Sequence, residues 1–166
     1  MKKNTKNLVF AALLAAVTCV ATLVIHIPSP LNGYINLGDC FVLLSGWLLG
    51  PVYGFLAAGI GSALADLFLG YAVYAPATFI IKGLVSLVAY LLIKAFGKIN
   101  NKAVAYVLSG IIAELVMIGG YYVFEGFMYG FGASLVNIPP NAVQGVAGIV
   151  LGAVLLKIFR KTRISI

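Results

Sequence analysis

Apolar residues run through this chain in six long stretches, divided by short breaks rich in Gly, Pro or polar side chains. They cover residues 7–25, 37–50, 51–70, 77–96, 103–125 and 132–159. About 20 apolar residues suffice for a helix to cross a bilayer, so each stretch reads as a transmembrane helix. The second is short; it either starts within the membrane or runs tilted. The pattern predicts one domain over residues 1–166, an all-α integral membrane protein built as a six-helix bundle. Composition agrees: 63% of residues are hydrophobic, 9% are charged, and mean hydropathy is +1.11. A soluble domain of this size needs far more surface charge.

The charges then orient the bundle. Eleven Lys and Arg oppose four acidic residues, giving a net charge of +7. Lys2, Lys3 and Lys6 precede the first stretch, Lys94, Lys98 and Lys102 flank the turn after the fourth, and Lys157, Arg160, Lys161 and Arg163 follow the sixth. The segments after stretches one, three and five carry no Lys or Arg. The positive-inside rule places both termini in the cytoplasm. The positive charge thus reflects topology and anionic headgroups, with no nucleic-acid partner implied. The N-terminus has the basic start and apolar core of a signal peptide but lacks a small-x-small site, so an uncleaved anchor is expected. Cys19 and Cys40 lie in apolar surroundings without metal-ligand spacing and read as small buried residues. His26 stands alone as a loop residue. GxxxxGK[ST], HExxH, CxxC and GxSxG motifs are absent. No catalytic residue, metal or cofactor is expected, and the protein reads as a non-enzyme.

Ionisable residues inside membrane spans are costly unless they face protein or water. Asp39 opens the second stretch. Asp66 and Lys82 sit about one turn from the same end of the third and fourth, at similar depth by the roughly 1.5 Å rise per residue. They either pair with each other or meet a polar ligand group. Glu114, Ile118, Tyr121 and Glu125 recur at i, i+4, i+7, i+11 and share a helix face. Asn137, Asn141 and Gln144 do the same in the sixth stretch, around Pro139 and Pro140. Two prolines break or start a helix, so the true helix is expected to begin near Pro139. These groups converge as a small-molecule site at the outer side, or they only hydrogen-bond the bundle together.

The outer connections are also unusual. Residues 26–36 carry Pro28, Pro30 and Gly33 and predict a folded-back loop. A Phe-, Tyr- and Gly-rich outer loop is expected at 126–132. Tyr34, Tyr71, Tyr74, Tyr121, Tyr122 and Tyr129 gather toward the outer side, against Tyr53, Tyr90 and Tyr106 inside. They form either an interfacial belt or a stacking pocket. Small residues make a second pattern: Ala11 and Ala15, with Ala12 and Ala16, and then Gly54, Ala58, Gly61 and Ala65. Such faces permit close helix contact, within the bundle or with another membrane protein.

Taken together, these strings resemble the S components of energy-coupling factor (ECF) transporters. The resemblance is carried by the basic start and AxxxA pair, by Gly33-Tyr34-Ile35-Asn36-Leu37-Gly38-Asp39 and by Leu49-Gly50-Pro51-Val52-Tyr53-Gly54. Gly59-Ile60-Gly61-Ser62-Ala63-Leu64-Ala65-Asp66, the run from Tyr74 to Gly83, and Pro140-Asn141-Ala142-Val143-Gln144 extend it over nearly the whole chain. The resemblance implies a membrane subunit of a prokaryotic cell membrane that captures a vitamin from outside. Its implied partners are a membrane T component and two cytoplasmic ATPases, with the subunit toppling in the bilayer to release its cargo. It implies a lid over His26–Asn36, with Tyr34, Asn36 and Asp39 as its lid residues. It implies a T-component face at Ala11 and Ala15. The implied substrate-binding residues are Lys82, Glu114, Tyr121, Tyr122, Glu125, Asn137, Asn141 and Gln144.

A cation, carboxylates, amides and tyrosines suit a small heteroaromatic with hydroxyl groups. Vitamin B6 or hydroxymethylpyrimidine is favoured over riboflavin and pantothenate, and Lys82 is a candidate phosphate acceptor. The competing class is a stand-alone ion-coupled secondary transporter, which should carry titratable residues near the bilayer middle. Only Glu114 approaches that depth. A membrane enzyme lacks any nucleophile, base or metal constellation, and a purely structural subunit would carry no small molecule.

Overall fold

The computed structural model describes residues 3–31 and 33–161. Lys2, Asn32 and Arg163 of the sequence reading lie outside the described residues. The chain order is α1 (Lys3–Val24), β1 (His26–Pro28), β2 (Tyr34–Asn36), α2 (Asp39–Leu49), α3 (Pro51–Leu69), α4 (Ala75–Ala95), α5 (Lys102–Tyr129), α6 (Phe131–Ser134) and α7 (Ile138–Lys161). Short 3-10 turns at Phe96–Lys98 and Leu135–Asn137 extend α4 and lead into α7. Among the described residues, five helices are long and apolar enough to cross a membrane.

Local chemistry sets most of the boundaries. Gly50 takes φ +81 between α2 and α3, and Pro51 starts α3, where its missing N–H loses no bond. Gly70 ends α3 in the left-handed region. The Asn101 side chain accepts from the amides of Ala103 and Val104 and caps α5. The helix α7 begins at Ile138, with Pro139 and Pro140 in its first turn. The loop expected at 126–132 is not present as such. The helix α5 continues to Tyr129, Gly130 makes the break at φ +92, and α6 follows at once. Its Phe and Tyr residues do not stop a helix; only the glycine does.

The short α2 is the core of the bundle. Its 11 residues span about 16 Å, half a bilayer, yet nine of them are buried. It packs against α1, α3, α4 and α7. Val42, Leu43, Leu44 and Trp47 meet Ile81, Val85, Ala113 and Met117 in one apolar cluster. The outer surface is the reverse of a soluble protein: Phe127, Val24, Phe68 and Val73 are largely exposed, as lipid contact allows.

Helices come this close because small residues line the contacts. The Gly54, Ala58, Gly61 and Ala65 face of α3 is buried, and Gly61 lies against the Ala15 backbone of α1. A Cβ on Gly46 would strike the Ser86 backbone. One on Gly54 would sit 2.7 Å from the Ser45 carbonyl oxygen. The same contacts set the two small-residue stripes of α1 apart. Ala11 is buried against Leu14, Leu49 and Ala57, and Ala15 is half-buried. Ala12 and Ala16 are the exposed pair of α1. The AxxxA spacing cannot tell two adjacent stripes apart; the packing of α1 on α3 does.

Backbone cannot move aside as a side chain can, so Gly46→Ala should destabilise the bundle by about 2–3 kcal/mol, at the upper end for overpacking. Gly119→Ala, in α5 with nothing within 4 Å of its Cβ, should be neutral or mildly stabilising. Thermal unfolding of the two variants in detergent checks the contrast.

Candidate substrate site

The site lies at the hairpin end of the bundle, where the hairpin and four helices supply most of its lining, with Thr22 of α1 and Tyr71 and Tyr74 of the α3–α4 connection. Helix α3 offers Ser62 and Asp66 one turn apart, and α4 offers Thr78 and Lys82 in the same way. Tyr121 and Glu125 come from α5, and Asn141 and Gln144 from α7. The β1–β2 hairpin closes over them with Ser29, Gly33, Tyr34 and Asn36. Between these groups lies a narrow cavity that opens to solvent; its atom-free space, open solvent included, is about 480 Å³.

The folded-back loop of the sequence reading is an antiparallel hairpin, with His26 opposite Asn36 and Pro28 opposite Tyr34. Side chains of the bundle hold it down. The Asn36 amide donates to Gln144 Oε1 at 2.8 Å. The Tyr34 hydroxyl donates to Asp66 Oδ1. The Tyr74 hydroxyl donates to the Leu31 carbonyl at 3.2 Å. Burial, and then the Asp66 carboxylate, push the Tyr34 hydroxyl above its ordinary value, so it stays a donor at neutral pH. Tyr34, Tyr71, Tyr74 and Phe124 form a run of ring contacts with centroids 5.0–6.3 Å apart. Part of the outer tyrosine cluster is therefore a wall of the cavity. Tyr122 is not: it packs on Phe131 at 5.7 Å and lies off the lining.

Beneath the cavity runs a buried polar chain. Lys82 Nζ donates to Asp39 Oδ1, and both side chains are almost fully buried. Gln144 Nε2 donates to Asp39 Oδ2 at 2.7 Å, and Gln144 then passes its other end to the hairpin. Gly148 lets α7 approach this closely; a Cβ there would lie 2.8 Å from that of Asp39. Lys82 Nζ also lies 2.9 Å from Met117 Sδ and 5.5 Å from the Tyr121 ring centre.

Three expectations change here. The Asp66–Lys82 pair does not form: Lys82 pairs with Asp39, and Asp66 accepts from Tyr34 of the hairpin. Equal depth along two helices made the first pair plausible, but the side chain of Lys82 turns toward α2. Asp39 is not a lid residue; it is the first residue of α2 and fully buried. Lys82 is not a free phosphate acceptor, because its charge already has a partner.

Of the expected substrate residues, Lys82, Tyr121, Glu125, Asn141 and Gln144 reach the cavity lining. Asn137 stands behind it, donating from Nδ2 to Glu125 Oε1 at 2.8 Å. Glu114 lies deeper, in contact reach of Gly145 on α7, and both its oxygens lack a hydrogen-bond partner among the described residues. Sequence reasoning missed Ser62 and Thr78. Each sits four residues before an ionisable residue, a spacing that marks them on the same face.

Comparison with known proteins follows the same lines. The family model described as "ECF-type riboflavin transporter, S component" matches residues 2–161. A protein named "Thiamine precursor transporter HmpT", from Lactococcus lactis subsp. cremoris (strain MG1363), is 30% identical over 164 residues. That match spans 98% of this chain and 92% of the relative. A Pyrococcus woesei protein of no described activity is 37% identical over 143 residues, 86% of this chain and 93% of its own. Among solved structures, the S component of a bacterial ECF transporter superposes with TM-score 0.78 at 25% identity, over 96% of this chain and 98% of that one. An S component for biotin shares the fold, with TM-score 0.58 at 23% identity over 95% of each chain.

Removing one partner of a buried ion pair strands the other. Lys82→Met should therefore destabilise the protein by about 3–5 kcal/mol. Asp39→Asn combined with Lys82→Met should recover most of that loss. Thermal unfolding in detergent of the single and double variants measures the coupling.

Proposed function

This chain belongs to the ECF-type riboflavin transporter S-component family, and on that premise we propose that it captures a small water-soluble vitamin or vitamin precursor at the outer face of a prokaryotic cell membrane. A T component and two cytoplasmic ATPases then drive uptake. The favoured substrates are vitamin B6 and hydroxymethylpyrimidine. The observation that carries this reading is the polar cavity under the hairpin, walled by Tyr34, Tyr71, Tyr74 and Tyr121 and ringed by amides and carboxylates. Tyrosine faces suit a flat ring, and the polar groups suit its hydroxyl and nitrogen substituents. A 30%-identical relative named for a thiamine precursor supports a cargo of that size.

In this reading Lys82, Tyr121, Glu125, Asn141 and Gln144 surround the substrate, while Tyr34 and Asn36 close the lid. Asn137 orients Glu125. Glu114 and Asp39 lie below the substrate and shape the floor. The face offered to the T component is Ala12 and Ala16, the exposed small residues of α1. The basic flanks at Lys6, Lys94, Lys98, Lys102 and Lys157 support cytoplasmic termini.

Detergent-purified protein should release a small aromatic compound on denaturation, identifiable by its ultraviolet spectrum and mass. In vesicles, uptake of that compound should need the T component and active ATPases. Uptake driven by a proton gradient without them would overturn the reading in favour of a secondary transporter. Ala12→Trp with Ala16→Trp should lower uptake at least about 10-fold while substrate affinity stays unchanged, since Trp replaces small residues that allow close helix approach.

A further inference from the structure

Two carboxylates in the cavity wall have an oxygen with nothing to bind. Asp66 is 3% exposed and Glu125 is 2% exposed. Tyr34 occupies Asp66 Oδ1, and Asn137 occupies Glu125 Oε1. Asp66 Oδ2 and Glu125 Oε2 are buried and lack a partner among the described residues. Thr78 interacts with Asp66 and Tyr74 with Glu125, but neither hydroxyl reaches good hydrogen-bond geometry at Asp66 Oδ2 or Glu125 Oε2. Buried acceptors left open in this way carry a desolvation penalty. A bound group that donates N–H or O–H removes it.

The cation count points the same way. Among the described residues lining the cavity, Lys82 is the only Lys or Arg, and Asp39 already neutralises it. Glu114 adds a further acidic group near Asp39 and Lys82. A phosphate or carboxylate entering here would meet acceptors at Asp66 and Glu125 and no unpaired positive charge. Burying such an anion without a counter-charge is strongly unfavourable. A neutral or cationic ring with donors at two places meets the two open oxygens instead.

We propose that Asp66 and Glu125 are specificity-determining residues that select an uncharged or cationic ring compound with N–H or O–H donors at two places, and exclude phosphate esters and carboxylates. The inference rests on the substrate-capture reading above and narrows it by charge. It separates free vitamin forms from their phosphorylated forms, which ring size and stacking alone do not.

The test compares matched pairs on the purified full chain by calorimetry. The probes are hydroxymethylpyrimidine (4-amino-5-hydroxymethyl-2-methylpyrimidine) and its monophosphate, pyridoxine and pyridoxine 5′-phosphate, riboflavin and its monophosphate, and pantothenate. At least one uncharged compound should bind, with its phosphate ester at least about 100-fold weaker and pantothenate not binding. Asp66→Asn and Glu125→Gln should each weaken the uncharged ligand about 10-fold or more, the range for loss of a charge-assisted hydrogen bond, and each should narrow the gap to the ester. A phosphate ester binding as tightly as its alcohol overturns the charge rule and leaves the capture reading standing. Binding of pantothenate alone does the same. Unchanged affinity and selectivity in both folded variants also overturns it. Binding of none of these compounds overturns both the capture reading and the inference. The wild-type comparison decides the charge rule even if neither variant folds.

Discussion

The buried Asp39–Lys82 ion pair is the constraint on which the rest of this structure depends. A lysine in a membrane helix is tolerable only with a partner, and the partner stands on a different helix from the one that depth alone suggests. To reach it, α2 must begin inside the bundle with its acidic first residue against α4. The second oxygen of Asp39 then needs a donor, and Gln144 of α7 supplies it. Gln144 in turn accepts from the hairpin amide of Asn36. One ion pair thus couples α2, α4, α7 and the lid, and sets the floor of the cavity. Its value is positional more than energetic, because a buried pair gains little over a well-packed apolar substitute.

The surrounding bundle makes that arrangement possible by being close-packed where it is small and greasy where it is large. Gly46 and Gly54 press backbone on backbone around α2, and Gly148 brings α7 to Asp39. Large side chains point outward to lipid. In water this distribution would aggregate; in a bilayer it leaves packing and hydrogen bonding to hold the helices together. The polar chain is therefore confined to the hairpin end, where it lines a cavity. The opposite end is tied by simpler means, with Trp47 donating to Ser109 and the Arg160 guanidinium over the Tyr106 ring.

The hairpin is as much a part of the site as the helices are. It contributes a hydroxyl to Asp66 and a backbone amide to Gln144, so side chains that line the cavity also anchor the hairpin. These anchors are a few hydrogen bonds, each of modest net worth once water replaces the partner. The aromatic run from Tyr34 through Tyr71 and Tyr74 to Phe124 likewise joins hairpin, loop and helix beside the cavity.

Hydropathy alone determined the membrane class and the helical stretches, since a run of apolar residues long enough to span leaves the backbone few other choices. Pro51, Gly50, Gly70 and the Pro139–Pro140 pair marked boundaries because their backbone limits are local. Helical spacing brought Tyr121 and Glu125, and Asn141 and Gln144, onto shared faces. The end of α5 was misjudged, because Phe and Tyr are compatible with helix and only Gly130 breaks it. The partners of Lys82 and Asp66 were decided by tertiary structure alone. Spacing gives each residue a depth and a face on its own helix, but not which neighbour that face meets. Ala11 and Ala12 show the same limit: both sit in small-residue stripes, and only the packing of α1 on α3 decides which stripe is buried and which is free.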